Sequence, residues 1–234
     1  MKYIIGGLKN MKNLISFTAR NSDVEACVNR PVPAREAMPD WFKNMPNTNI
    51  DGARTAKACM PFLDTFTSGY TQTLWCDIEV SNNGKKIEFD SPFRPFSTTE
   101  GIKWHDNLFP SFDGYYDVET HWLTQWEPVT PKGYSTIFFH PLNRFDLPFV
   151  SLSGIMETDK FNSPGTFPFL IKKGFEGIIP KHTPIYQMIP FKRENWGIGE
   201  YVFDKPERMK QTNNIRKEKI GGYKKHYWEK KIFE

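Results

Sequence analysis

The sequence predicts a mainly β protein, an antiparallel sandwich or barrel with a few short helices and a basic, partly helical C-terminal tail. Aromatic residues make up 15% of the 234 residues, so a hydrophobic fraction of only 38% can still fill a core. Short apolar segments alternate with turn residues at close intervals, which is typical of an all-β fold. The excess of positive charge lies at the C-terminal end.

The clearest predicted element is a hairpin whose first strand covers residues 71–80. The even-numbered residues from 74 to 80 are apolar, and the odd-numbered ones are mostly polar, as in a half-buried strand. Asn83-Gly84 is a strong signal for a two-residue hairpin turn. Such a turn places four apolar side chains on one face by pairing Val80 with Ile87 and Ile78 with Phe89.

Six further strands are predicted after the hairpin, each rich in aromatic or β-branched residues and bounded by turn residues. Two short helices are expected, one near Glu36 and one over 61–67 that ends before Gly69. Six of the 18 prolines precede phenylalanine, and we expect them at strand starts, edges and loops. The six strands cover residues 115–126, 134–140, 149–157, 167–172, 175–179 and 185–191.

The distribution of charge divides the chain at residue 204. Residues 1–204 carry 21 basic and 23 acidic side chains, whereas residues 205–234 carry ten basic and four acidic ones. We therefore expect a single β-rich domain over 1–204 and a basic, partly helical extension over 205–234. The extension is polar up to Ile220, is broken at Gly221-Gly222, and then becomes aromatic and basic.

Two interpretations of the extension are open. In the first, a solvated helix is followed by a segment that docks its aromatic side chains on the body of the protein. In the second, the extension is an arm that grips an acidic partner, which would be another subunit, a nucleic acid or an anionic surface. Four acids among ten bases disfavour nucleic acid, so we expect a protein partner or a homo-oligomer. The candidate partner-binding residues are Arg216, Lys217, Lys224, Lys225 and Trp228.

Cysteine usage and hydropathy exclude several classes of protein. Three widely spaced cysteines without a C-x-x-C motif argue against a disulfide framework and against a structural zinc site. They are expected to be reduced thiols in an intracellular compartment. No apolar run approaches the roughly 18 residues of a membrane span, and the N-terminal apolar patch is too short for a signal peptide.

Common catalytic signatures are missing from the sequence, which has no phosphate loop, no G-x-S-x-G and no H-E-x-x-H. His121 and His140 could converge across neighbouring strands and hold iron together with Glu119 or Glu127. The alternative is that both are ordinary hydrogen-bonded histidines. We therefore expect no cofactor, keep iron as the alternative, and leave open whether the protein is an enzyme.

A ligand pocket, if the protein has one, is expected where aromatic residues of the strands meet polar residues of the loops. Arg144 lies in a polar turn between two strands, and Lys192-Arg193 could hold a carboxylate or a phosphate. The alternative is an ordinary ion pair between Arg193 and Glu157 or Asp159. The candidate pocket residues are Trp122, Trp126, His140, Arg144, Gln187, Lys192 and Arg193.

One turn resembles a known fold family. The segment from Ile179 to Ile185 is similar to the tight turn between two strands of cupin jelly rolls. The resemblance implies a jelly-roll, cupin-like sandwich for the body. Metal-binding cupins carry a histidine at the position of Ile185, so the same resemblance counts against a cupin metal centre.

Most of the chain from residue 11 to residue 196 resembles an uncharacterised family of marine bacteria and their tailed phages. That family has no assigned function, so the resemblance implies an origin but lends no mechanism and no catalytic residues. A cytoplasmic location in a bacterial host cell, or a place in a virion, follows from it. The segments that carry the resemblance are Pro39–Lys43, Cys59–Asp64, Phe139–Asn143, Leu152–Gly154 and Ile179–Trp196.

Three functions are consistent with these observations. The first is a non-catalytic jelly-roll binding or structural protein, such as a phage virion or assembly component, because no catalytic signature accompanies the rigid proline-aromatic loops. The second is an Fe(II)-dependent oxygenase of the double-stranded β-helix type that uses His121 and His140. The third is a binder of small anionic ligands or nucleotides, and fold alone does not choose among the three.

Overall fold

Antiparallel strands dominate the computed structural model, as the sequence predicted. The structure describes residues 14–82, 87–90, 96–98, 110–116, 120–161, 163, 165–200, 204–218 and 220–234. The helices in these ranges are short: α1 (Ser22–Cys27), α2 (Asp40–Lys43), α3 (Met60–Thr67), α4 (Lys205–Arg216) and α5 (Gly222–His226), with single 3-10 turns at Ala34–Ala37 and Ala56–Ala58.

The described strands form four sheets, and every pairing between them is antiparallel. They are β1 (Ser16–Ala19), β2 (Val32–Pro33), β3 (Tyr70–Thr73), β4 (Ile78–Asn82), β5 (Ile87–Asp90), β6 (Phe96–Thr98), β7 (Thr120–Leu123), β8 (Trp126–Val129), β9 (Tyr134–Phe139), β10 (Phe149–Ser151), β11 (Gly154–Met156), β12 (Thr166–Ile171), β13 (Gly177–Ile179) and β14 (Pro184–Lys192).

Two of the sheets are larger than the others. The five-stranded sheet has the order β11-β9-β14-β3-β2, and the four-stranded sheet has the order β10-β12-β7-β6. The smaller sheets are β13-β4-β5 and β1-β8. Over the described ranges no sheet closes into a barrel, so the barrel form of the prediction is not observed.

Aromatic side chains from the two larger sheets share one core. Phe138 of β9 stacks on Phe167 of β12 with ring centroids 4.3 Å apart, and Tyr186 of β14 also contacts Phe167. Within the four-stranded sheet, Trp122 stacks on Phe169 at 3.7 Å. These rings are almost completely buried, and each buries a large apolar area, so they account for much of the stability of the body.

Three of the predicted strands are each divided into two. The segment 71–80 breaks at residues 74–77, because β3 pairs with β14 whereas β4 pairs with β13. Within segment 115–126 the structure describes β7 from Thr120, and a new strand, β8, begins at Trp126 and pairs with β1 in another sheet. Segment 149–157 breaks at residues 152–153, where the chain leaves the four-stranded sheet for the five-stranded one. Each break is a change of sheet, which alternation of apolar residues does not reveal.

The hairpin of β4 and β5 is confirmed, but its predicted register is wrong by two residues. Val80 pairs with Phe89, and Asn82 pairs with Ile87. The connection is therefore longer than a two-residue turn. Residues 83–86, which include the predicted Asn83-Gly84 turn, lie outside the described residues, as does the N-terminal apolar patch.

The predicted helices are also confirmed in outline. The region near Glu36 forms a 3-10 turn followed by α2, and α3 covers the predicted 61–67. In the described part of the chain, no helix is long and apolar enough to cross a membrane.

Gly69, after α3, is required both by the backbone and by packing. Its φ angle is +77°, and a Cβ atom there would lie 2.0 Å from the carbonyl oxygen of Met188 in β14. The chain therefore passes from α3 into β3 at a position where only a hydrogen atom fits against the central strand of the sheet.

Gly69→Ala is expected to lower the free energy of unfolding by about 3 kcal/mol or more, from left-handed strain plus the clash with Met188. Gly52→Ala is the matched control, because Gly52 also has a φ angle of +77° but a Cβ atom added to it would have no neighbour within 4 Å. That control is expected to cost only about 1 kcal/mol. Urea unfolding of both variants measures the difference, and equal losses would contradict the packing argument.

Candidate functional site

The polar candidates of the sequence meet at the turn that joins β9 to β10. His140 begins this turn, and both of its ring nitrogens have main-chain partners. Nδ1 accepts a hydrogen bond from the Ser151 N–H at 3.3 Å, and Nε2 lies 3.1 Å from the Arg144 carbonyl oxygen, to which it donates. Burial lowers the pKa of His140, which favours the neutral ring that this pattern requires. His140 therefore holds its own turn against β10.

Gln187 of β14 closes the same turn from the other side. Its side chain is only 3% exposed, and its Oε1 accepts a hydrogen bond from the Leu142 N–H at 3.1 Å. Its Nε2 donates to the carbonyl oxygens of Thr65 at 3.1 Å and Ser68 at 2.6 Å, at the end of α3. All three bonds run to main-chain groups, so Gln187 ties the turn to α3.

Arg144 lies beside Gln187, and its charge is already paired. Its guanidinium forks onto the Asp146 carboxylate, with bonds of 2.9 Å from Nε and 2.8 Å from Nη2, and Nη1 donates to the Ala37 carbonyl at 3.3 Å. Hydrogen bonds from Arg144 hold the pKa of Asp146 below its ordinary value. A bidentate pair of this kind leaves the guanidinium little capacity for an added anion.

The cavity enclosed between Gln187, Arg144, Thr71 and Phe66 has a volume of about 20 Å³. A second cavity, beside Glu127 and Phe161, has a volume of about 10 Å³. Space of this size accommodates about one water molecule, whereas small-molecule sites typically measure hundreds of cubic ångströms. Neither of these two cavities fits an organic ligand.

The two tryptophans predicted to line a pocket are core residues. Trp122 is fully buried and donates its indole N–H to the Ser151 hydroxyl at 2.9 Å. Trp126 donates to the Val28 carbonyl at 3.0 Å, and the Arg30 guanidinium lies 5.1 Å from its ring centre. The indole N–H groups of both tryptophans are therefore hydrogen-bonded within the protein, as those of buried tryptophans usually are.

Arg193 forms the ion pair with Asp159 that the sequence allowed. The two guanidinium nitrogens lie 2.9 and 2.5 Å from the carboxylate oxygens, and the Asp159 side chain is only 2% exposed. Asp159 also accepts from the Gly133 N–H at 2.7 Å, and Arg193 donates to the Tyr134 carbonyl at 2.6 Å. Hydrogen bonds from Arg193 and Gly133 lower the pKa of Asp159 to about 2. Lys192 pairs separately with Glu194 at 2.6 Å on the surface.

The seven pocket candidates have different partners in the described part of the chain. His140, Arg144 and Gln187 lie together at the β9–β10 turn. Arg193 bonds to Tyr134 at the start of β9 and to Asp159, and the two tryptophans lie in the core. Sequence reasoning missed the partners Thr65, Ser68 and Ala37. They contribute main-chain carbonyl oxygens, which every residue type possesses, so no sequence signal could have identified them.

The described residues do not bring together a set of side chains that could bind iron. Among the residues that the structure describes, no group of three or more His, Cys, Asp or Glu side chains is placed to hold a metal ion. His140 uses both ring nitrogens for main-chain hydrogen bonds, and His121 lies in β7 at the register positions of Pro168 and Ser97. Glu119, one of the carboxylates considered with them, lies outside the described residues.

The aromatic end of the extension docks on the body, as the first interpretation expected. The Trp228 indole N–H lies 3.1 Å from both carboxylate oxygens of Asp64 in α3, and the Lys231 ammonium lies 2.7 Å from one of them. Phe233 packs edge-on against Tyr70, whose hydroxyl donates to the Glu234 main-chain oxygen at 3.3 Å. Trp228 is therefore an anchor of the extension.

The four cationic candidates of the extension differ in what they contact. Lys225 pairs with Glu218, and the Lys224 ammonium lies 6.0 Å from the Trp228 ring centre. Arg216 and Lys217 lie on the exposed surface of α4. Neither Arg216 nor Lys217 has an ionic partner among the described residues, and the same holds for Lys224.

Comparison with known proteins gives no match: no family model, no curated protein and no solved structure corresponds to this chain.

Gln187→Leu is expected to lower the free energy of unfolding by about 3 kcal/mol, because it leaves the Leu142 N–H and two carbonyl groups of α3 without a partner. Gln211→Leu, on the exposed face of α4, is the control and is expected to stay within about 0.5 kcal/mol of the wild type. Urea unfolding measures both values. A loss at Gln187 no larger than at Gln211 would show that this residue does not hold the turn.

The Arg193–Asp159 pair predicts a stability change in acid. Because the pKa of Asp159 falls from 3.8 to about 2 on folding, the pair stabilises the protein above pH 3.8. That stabilisation is lost as the pH falls towards 2. Asp159→Asn and Arg193→Gln should each lower the urea midpoint at neutral pH, and the gap from wild type should shrink between pH 4 and pH 2. A gap that stays constant with pH would contradict the assignment.

Proposed function

We propose that this protein is a non-catalytic binding or structural protein that engages a protein partner with its outer surface. The observation that carries the proposal is the use of the polar candidates within the fold. His140, Gln187, Arg144 and Arg193 all bond to main-chain groups or carboxylates of the protein itself. Side chains engaged in this way serve folding and are not poised for substrate.

Exposed aromatic and aliphatic side chains support a protein partner. Phe145, at the β9–β10 turn, is 81% exposed, and Trp196, in the segment after β14, is 87% exposed. Ile198 follows in the same segment and is fully exposed. Aromatic residues are enriched where proteins bind one another, and burying such side chains on association is favourable. The partner is a different protein or a second copy of this chain.

The proposal includes a jelly-roll-like sandwich as the form of the body. Support comes from the shared aromatic core of the two larger sheets and from the direct passage of the chain between them at β10 and β11. The resemblance to a family of marine bacteria and their tailed phages further supports a virion or assembly component, located in a bacterial host cell or in the particle.

The two alternative functions receive less support from the geometry. An Fe(II)-dependent oxygenase needs open histidine nitrogens, whereas those of His140 are both bonded to main-chain groups. A binder of small anions needs an unpaired cation in a cavity. Arg144 and Arg193 are each forked onto a carboxylate, and the adjoining cavity measures only about 20 Å³.

A thermal-shift screen tests the proposal with Fe(II), nucleotides and small organic acids as probes. A ligand at about 100 times its dissociation constant would stabilise the protein by about 2.7 kcal/mol, which corresponds to a shift of roughly 5–10 °C for a chain of this size. We expect no probe to raise the melting temperature to that extent. A shift of this size that disappears in Arg144→Gln or His140→Gln would contradict the proposal and revive a ligand site at the β9–β10 turn.

A further inference from the structure

The extension has two parts. We call α5 and the residues after it the anchoring half, and α4 the presenting half. Trp228, Lys231 and Phe233 hold its end on the body through Asp64 and Tyr70. By contrast, none of the residues of α4 is buried. A mostly polar helix that buries no side chain gains little stability from packing on the body. Packing therefore does not account for the residues on the surface of α4.

The presenting half begins with a well-defined helix. Asp204 caps α4 by accepting a hydrogen bond from the Glu207 N–H at 3.0 Å, and Pro206 lies in the first turn. At its other end the helix packs on α5, where a Cβ atom on Gly222 would lie 2.4 Å from the Ile215 carbonyl oxygen. Arg54 of the body donates to the Glu218 carbonyl at 3.1 Å. The orientation of α4 is thus fixed from its C-terminal end.

One face of α4 borders a shallow, open groove that is lined only by residues 205–217. Its lining residues recur at intervals of three and four, so they fall on a single stripe of the helix. Met209, which is 56% exposed, and Pro206 give the stripe an apolar centre. Cations border that centre at Lys205, Lys210 and Lys217.

The charges along this stripe are mostly uncompensated. Lys210 shares the Glu207 carboxylate at 3.7 Å, whereas Lys205, Arg216 and Lys217 form no ion pair within the described ranges. Lys225 and Lys231, in the anchoring half, are each paired with a carboxylate. Unpaired positive charge therefore lies along α4 beside an exposed methionine, and Lys224 and Lys230 of the anchoring half also have no carboxylate partner in the described ranges.

We infer that this face of α4 binds an acidic segment of a partner protein that also carries apolar side chains. The inference rests on the proposed function and names the surface and the kind of partner. Lys205, Arg216 and Lys217 supply positive charge that complements the acidic segment. Met209, whose side chain is flexible and polarizable, packs against an apolar side chain of the partner.

A protein segment fits this surface better than a nucleic acid does. Single-stranded nucleic acids are held by aromatic stacking together with phosphate contacts. Trp228 and Phe233 are docked on the body and do not line the groove. Glu207 lies on the same helix and would repel phosphates. The apolar side chain of Met209 would gain no favourable contact from a charged sugar-phosphate backbone.

The test is fluorescence anisotropy of the full chain with two labelled probes of equal net charge: a peptide of Glu, Asp and Leu, and a thymidine oligonucleotide. We expect the peptide to bind more tightly than the oligonucleotide, with an affinity that falls as salt is added. The double variant Arg216→Glu/Lys217→Glu should weaken peptide binding by about tenfold or more, and Met209→Ser by several-fold. Unchanged far-ultraviolet circular dichroism would show that both variants retain α4.

The matched control is Lys173→Glu/Lys181→Glu, which makes the same change in net charge on exposed positions of the body. Its peptide affinity should stay within about twofold of the wild type, apart from the general effect of charge. Equal losses in the two double variants, tighter binding of the oligonucleotide, or no binding of the peptide would each overturn the inference. None of these results alters the thermal-shift screen, so failure here and failure of the proposed function are distinguishable.

Discussion

The stacking of Phe138 on Phe167 is the contact on which the rest of the body depends, because it joins the two larger sheets. Neither sheet can bury its aromatic face alone, since an isolated antiparallel sheet leaves one face in water. Once the two faces meet, the chain must pass between sheets at several points. At each passage main-chain groups lose their ladder partners, and unpaired buried groups are costly.

Polar side chains supply the missing partners at those passages. Ser151 accepts from Trp122 and donates to the Ile185 carbonyl at 2.5 Å, just where the chain leaves β10. Gln187 and His140 do the same for the β9–β10 turn and α3. Residues that look chemically reactive in the sequence therefore make hydrogen bonds within the fold. We propose that recognition instead uses side chains of the exposed segments and of α4.

Sequence reasoning succeeded where a property is local and failed where it depends on distant chain. The β4–β5 hairpin, α3 and the break at Gly221-Gly222 follow from alternation, capping and glycine, and all are observed. The prediction of one continuous strand over 71–80 was wrong, because the alternation of apolar residues continues unchanged where the chain passes from one sheet to another. The hydrogen-bond partners of Trp126 and Arg193 could not be predicted, because residue type does not report which main-chain carbonyl a side chain will meet.

Native-state hydrogen exchange tests most directly whether the polar candidates are components of the fold. The N–H groups of Leu142, Ser151 and Gly133 donate to Gln187, His140 and Asp159. We predict that these three amides exchange only through large-scale unfolding, far more slowly than the amides of the exposed segment at Gly197 and Gly199. Exchange of the three at the rate of that exposed segment would contradict the account, because it would show that these side chains are free to engage a ligand.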